Sequence, residues 1–121
     1  MARKILVVTN DRHTVFSIRS CLGWDDYQIF VAYSGTEALE KVRAERPDLV
    51  IIDKQVLERA RRFLKDLQTA IVTDKTSVIL ITDADDTGFV DGWKINVNGL
   101  VLRPLDPRKL AVKINRIVGK R

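Results

Sequence analysis

The chain has 121 residues, enough for one domain around one core, and its 45% hydrophobic against 31% charged content excludes a disordered chain. The net charge of +5 leaves room for an acidic partner, but a surplus of this size is more often a solvated surface, so nucleic acid is not the favoured partner. The single cysteine, Cys21, excludes an intrachain disulfide, and no apolar stretch is long enough for a membrane span or a secretory signal; the default compartment is the cytoplasm.

In chain order, Ile5-Leu6-Val7-Val8 reads as a short buried strand. Residues 12–22 carry helical spacing in Val15, Ile18, Cys21 and Leu22, with Gly23 as a natural stop. Cys21 falls in that stripe and reads as a small buried hydrophobe rather than a nucleophile. A second strand covers 27–33, with Ile29, Val31 and Tyr33 on one face. Ser34-Gly35-Thr36-Glu37 has the pattern of a capping box, and Ala38, Leu39 and Val42 form the stripe of the helix behind it. Pro47 closes that connection before a third strand at 48–53. A third helix is expected over 57–68, with Ala60, Phe63, Leu64 and Leu67 inward. A fourth strand covers 77–82. A fourth helix is expected over 86–95, weakened by Gly88 and Gly92 and ended at Asn96. Leu100-Val101-Leu102 is a fifth strand. Asp106-Pro107 pairs a cap with proline at the first helical position and opens the last helix, which runs through Ile117 and Val118.

Five strands alternating with five helices specify an α/β, doubly wound, five-stranded parallel sheet with helices on both faces. Of the two common strand orders, the short fourth and fifth units favour 2-1-3-4-5. In such folds ligands bind at the carboxyl ends of the strands. Asp53 stands there, after the apolar run Leu49-Val50-Ile51-Ile52. Thr9, Asn10 and Asp11 follow the first strand, Thr82 and Asp83 the fourth, and Arg103 the fifth, so all should meet Asp53 in one crevice. A carboxylate, a hydroxyl and a cation together fit phosphoryl transfer: nucleophile, phosphoryl-oxygen ligand and charge partner. Mg²⁺, which wants carboxylate oxygens in near-octahedral array, would complete it.

Over its whole length the sequence resembles a response-regulator receiver domain. The matching stretches are Lys4-Ile5-Leu6-Val7-Val8, Ser34-Gly35-Thr36-Glu37-Ala38-Leu39, Pro47-Asp48-Leu49-Val50-Ile51-Ile52-Asp53, Val78-Ile79-Leu80-Ile81-Thr82 and Arg103-Pro104-Leu105. The strand order above is also that family's and rests partly on the resemblance. The resemblance implies one receiver-like domain over 1–121, a phosphoacceptor at Asp53, a switch hydroxyl at Thr82, a cytoplasmic two-component role without enzymatic turnover, and a histidine kinase and an attached effector domain or other protein as partners.

The departures matter as much. Where the family has two acidic residues that hold Mg²⁺, this chain has Thr9 and Asn10; Asp11 is acidic but one position late, so metal ligation by Asp11 and Asp53 is weak. The family's lysine is Arg103, whose planar fork suits a bidentate grip on Asp53. The small residue after the switch threonine is Asp83, and two like charges about 4 Å apart cost about 4 kcal/mol at an effective dielectric of about 20. Leu100 replaces the usual aromatic switch, and Lys54-Gln55-Val56-Leu57-Glu58-Arg59 replaces the proline-and-glycine loop with what reads as a shorter, more helical connection. The expectation is therefore an atypical receiver that acts through protein contacts, with no catalytic residue, no resident cofactor and impaired phosphorylation. The alternatives are a working phosphoacceptor receiver and a small basic nucleic-acid- or nucleotide-binding domain. Arg59-Ala60-Arg61-Arg62 and the basic residues of the last helix read as solvated faces. Phe89 and Trp93, one turn apart, are candidates with Leu100 for an interaction face, and a homodimer would use the fourth helix, fifth strand and fifth helix.

Overall fold

Five apolar runs become five strands: β1 (Arg3–Val8), β2 (Tyr27–Ala32), β3 (Leu49–Asp53), β4 (Ser77–Asp83) and β5 (Gly99–Arg103). They form one parallel sheet in the order β2-β1-β3-β4-β5. The computed structural model describes residues 3–22, 26–59, 61–73, 75–83 and 97–119. All five residues of the central β3 are buried, as a strand must be when helices cover both faces of its sheet.

Side chains alternate along each strand, so the sheet feeds two separate cores. Ile5, Val7, Ile51, Ile79 and Ile81 point to one face, where α1 (Arg12–Cys21) supplies Ile18 and α5 (Pro107–Ile114) supplies Leu110 and Ile114. Leu6, Val8, Val50, Ile52, Val78 and Leu80 point to the other. There α2 (Gly35–Glu45), α3 (Lys54–Arg59) and α4 (Arg61–Thr73) supply Ala38, Val42, Leu57, Leu67 and Ile71.

Local signals explain the helix ends. Ser34 caps α2 by accepting from the Glu37 N–H at 3.2 Å, although Glu37 makes no reciprocal bond among the described residues. Ser34→Ala is expected to cost about 1 kcal/mol, the usual worth of such a cap, seen as a lower urea midpoint at unchanged slope. At the far end Arg46 takes a left-handed conformation (φ 48°), its N–H bonds the Val42 carbonyl, and Pro47 prevents continuation. Asp106 caps α5 through the Arg108 and Lys109 N–H groups, with Pro107 at the first position.

Three expectations need correction. The helix expected over 57–68 begins at Lys54 and reaches Thr73 as the two segments α3 and α4. No proline or glycine follows Asp53, and the Asp53 carboxylate itself accepts the Gln55 N–H, so the chain turns helical directly off the strand. The last helix is α-helical to Ile114 and continues to Val118 as a π turn (Asn115–Gly119), where Asn115 accepts a hydrogen bond from the Tyr27 hydroxyl. Tyr33 lies past the end of β2 and is 51% exposed. The helix expected over 86–95, with Phe89 and Trp93, lies outside the described residues, as do Gly23, Ala60 and Asn96.

Candidate functional site

The strand register decides who meets Asp53. β1 and β4 flank β3, with Val8 beside Ile52 and Ile81 beside Asp53, and β5 follows on the outside of β4. Thr9, the residue after β1, therefore sits next to Asp53. From β5, Arg103 reaches Asp53 past the end of β4.

Asp53 is wholly buried, and four donors converge on its carboxylate. Oδ1 accepts from the Gln55 N–H at 3.1 Å and from Arg103 Nη1 at 3.4 Å. Oδ2 accepts from the Thr9 hydroxyl at 3.0 Å and from Arg103 Nη2 in a close ion pair. A carboxylate in the interior is costly unless paired and hydrogen-bonded, and here both conditions are met. The guanidinium bridges both oxygens, the bidentate geometry that lysine cannot supply.

A second tier holds that arrangement. Thr9 Oγ1 accepts from the Asp11 N–H at 3.1 Å, and Arg103 Nη2 reaches Thr14 Oγ1 at 3.4 Å. Thr14 donates to Asp11 Oδ2 at 2.9 Å, and the His13 N–H bonds Asp11 Oδ1 at 3.0 Å. Asp11 is thus the N-cap of α1, with both oxygens engaged. The Thr14 hydrogen bond holds its carboxyl below the usual carboxylate value; burial opposes this in part, and the Arg103 charge adds a smaller effect in the same direction.

The remaining candidates are arranged as follows. Thr82 is buried, and its hydroxyl has no hydrogen-bond partner among the described residues. Asp83 is exposed and lies beside Arg103 in the sheet register. Asn10 is exposed and lines a separate pocket of about 270 Å³ with Tyr33, Ser34, Thr36, Val56 and Arg59. Leu100 is half-buried against the core formed with α2, α3 and α4. Cys21 is half-buried, its thiol donates to the Ile18 carbonyl at 3.2 Å, and burial pushes its pKa up, which suits a packing role. Among the described residues no group of three or more His, Cys, Asp or Glu side chains is placed to hold a metal ion.

Sequence reasoning missed three contributors. Thr9 was placed in the crevice only as the replacement of an acid, and the donation of its hydroxyl to Asp53 was not foreseen. Thr14 was silent in the helical pattern, although a threonine three residues after an aspartate cap is a recognisable helix-start pairing. Lys54 read only as a polar residue after the strand; it is buried, with an ion pair to Glu58 Oε1 at 3.0 Å. The i, i+4 spacing of Lys54 and Glu58 was the available signal.

The family model for the response regulator receiver domain matches residues 5–115. Response regulator MprA of Mycobacterium ulcerans (strain Agy99) is 33% identical over 86 residues, 64% of this chain and 37% of that protein. Transcriptional regulatory protein CrdR of Helicobacter pylori (strain ATCC 700392 / 26695) is 28% identical over 122 residues, 96% of this chain and 55% of that protein. The chain thus spans about half or less of the length of these curated relatives. Among solved structures, a response regulator from Thermotoga maritima superposes with a TM-score of 0.81 at 20% identity, covering 99% of this chain and 100% of the other, a likeness of fold.

Proposed function

The chain belongs to the response-regulator receiver domain family, and we propose that it is an atypical member, a two-component regulatory module that works through protein contacts with Mg²⁺-dependent phosphorylation of Asp53 impaired. One observation carries this reading: the Arg103 guanidinium is seated on both oxygens of Asp53. A carboxylate nucleophile needs a free lone pair aimed at phosphorus. With Thr9 and the Gln55 N–H on the same two oxygens, attack requires breaking an ion pair and reorganising a buried site.

The residues present do not fit the family's Mg²⁺. Asp11 is committed to capping α1, Thr9 donates rather than ligates, and Asn10 offers one neutral oxygen. Arg103 already supplies a positive charge to Asp53, so the site is electrostatically complete without a cation.

Exposure to acetyl phosphate with Mg²⁺ is expected to leave the intact mass unchanged and the Asp53 peptide unmodified. Stoichiometric modification at Asp53 would overturn the reading. One observation favours the working receiver instead: Thr82 keeps a buried hydroxyl with no partner among the described residues, which is what a switch residue waiting for a phosphoryl oxygen would offer. The same experiment separates the two, and a Mg²⁺ titration followed by tryptophan fluorescence adds a second readout.

The rest of the reading follows from the family. The domain over 1–121 acts by docking rather than by turnover, in the cytoplasm, with a histidine kinase and an attached or separate effector as partners. Dimerisation through the helix expected over 86–95, β5 and α5 belongs to the same proposal. Among the described residues no helix is long and apolar enough to cross a membrane.

A further inference from the structure

The +5 charge of the chain is concentrated on one side of the sheet. α1, α5 and the π turn after it together carry six Lys and Arg residues and no Asp or Glu. The two carboxylates nearest in sequence, Asp11 and Asp106, are helix caps occupied by backbone N–H groups. The opposite layer mixes its charges, with Glu37, Glu40, Glu45, Glu58 and Asp66 set among its cations.

α1 and α5 pack side by side over one core, so their outward strips join. On α1 the strip runs Arg12, Phe16, Arg19; on α5 and the π turn it runs Arg108, Val112, Arg116, with Lys109 alongside. The four arginines and Lys109 are exposed, and none has an ion-pair partner among the described residues. Lys113 joins the same face but donates to the Leu100 carbonyl. Phe16 is 72% exposed and Val112 56% exposed, each between two arginines. A residue rise of about 1.5 Å makes the α5 strip about 12 Å long, and packed helices lie about 8–10 Å apart.

We infer that this two-helix layer is a binding surface for the sugar–phosphate backbone of a nucleic acid, a role separate from the Asp53 site. The charged groups of the layer are donors only. A protein partner brings donors of its own that would find no carboxylate here, and a second copy of the layer would set cations against cations. A nucleic acid presents a continuous row of acceptors, about one charge per 1.7 Å of duplex. Arginine forks grip phosphates bidentately, and an exposed phenylalanine beside them offers a ring on which an unpaired base can stack.

The test is fluorescence anisotropy of a labelled oligonucleotide, as single strand and as duplex, with the full chain at salt from about 50 to about 200 mM. Engaging four or five phosphates predicts affinity weaker at the higher salt by about 50- to 130-fold for the single strand and about 150- to 500-fold for the duplex. The exposed pairs Arg12→Ala with Arg19→Ala, and Arg108→Ala with Arg116→Ala, should each weaken low-salt binding more than tenfold and reduce the salt slope by about two. Circular dichroism checks that both variants remain folded. Arg43→Ala with Arg59→Ala, exposed on the opposite layer, should change neither quantity. No binding at low salt, equal loss in the opposite-layer variant, or equally tight binding of poly-glutamate or of anionic vesicles overturns the inference.

Discussion

Arg103→Ala is expected to lower the free energy of unfolding by about 2–4 kcal/mol. The substitution strands a carboxylate that is wholly buried and leaves it with only two neutral donors, the Thr9 hydroxyl and the Gln55 N–H. Removing one member of a buried ion pair costs about 3–5 kcal/mol, and the partial exposure of Arg103, 23%, moves the expectation toward the lower part of that range. The cause is separable from lost packing by a double-mutant cycle in urea. Asp53→Asn keeps the shape and removes the charge, so Arg103→Ala on that background should cost much less than on the natural one. Additive costs would mean that Arg103 contributes bulk rather than charge.

The second large effect is a gain. Thr9→Asp and Asn10→Asp, combined with Arg103→Lys, are expected to raise Mg²⁺ affinity by about 100-fold, about tenfold for each added carboxylate ligand. That is conservative beside the about 4 kcal/mol that two unit charges about 4 Å apart exchange at an effective dielectric of about 20. The two aspartates alone should gain far less, because the guanidinium still covers Asp53. Without metal the triple variant sets like charges beside a buried carboxylate and should be less stable. Its stability should then rise with Mg²⁺, by about 2.7 kcal/mol at a hundredfold excess over the dissociation constant, while the natural protein stays flat. Modification of Asp53 by acetyl phosphate should appear in the triple variant alone. A natural protein already stabilised by Mg²⁺ would defeat the proposal, and so would a triple variant that binds no better.

The two experiments probe one physical point. A receiver with two acids and a lysine keeps its phosphoacceptor charged by surrounding it with exchangeable groups: a metal that can leave and an ammonium that can swing. Here the charge is met by a planar fork that is itself tied to Thr14, which is tied to Asp11, which caps α1. Each link is ordinary in strength, and together they keep both oxygens of the carboxylate engaged by four donors.

Much of the fold was legible because its signals are local. The four apolar residues before Asp53 specify a strand covered on both faces, and the observed β3 is buried throughout. Ser34 and Asp106-Pro107 mark helix starts by capping chemistry that operates within three residues. The start of α3 was misplaced for a reason of the same scale: Asp53 ends a strand and caps a helix at once, and a pattern reading assigns it only the first task.

The amino-acid order alone established a five-stranded parallel α/β receiver fold with Asp53 at a strand end, and it showed that Thr9, Asn10, Asp83 and Arg103 depart from the family pattern. Periodicity, capping and composition act over a few residues, so they are written in neighbouring letters. The tertiary structure decided which oxygens each donor occupies: Arg103 reaches Asp53 across fifty positions of sequence, and Thr9 across forty-four. It also decided where the positive charge lies. A surplus of +5 spread over a surface is unremarkable, but α1 and α5, nearly ninety residues apart in sequence, pack together and, with the π turn after α5, place six cations on one layer. Coulomb energy depends on distance in space, and only the fold sets that distance.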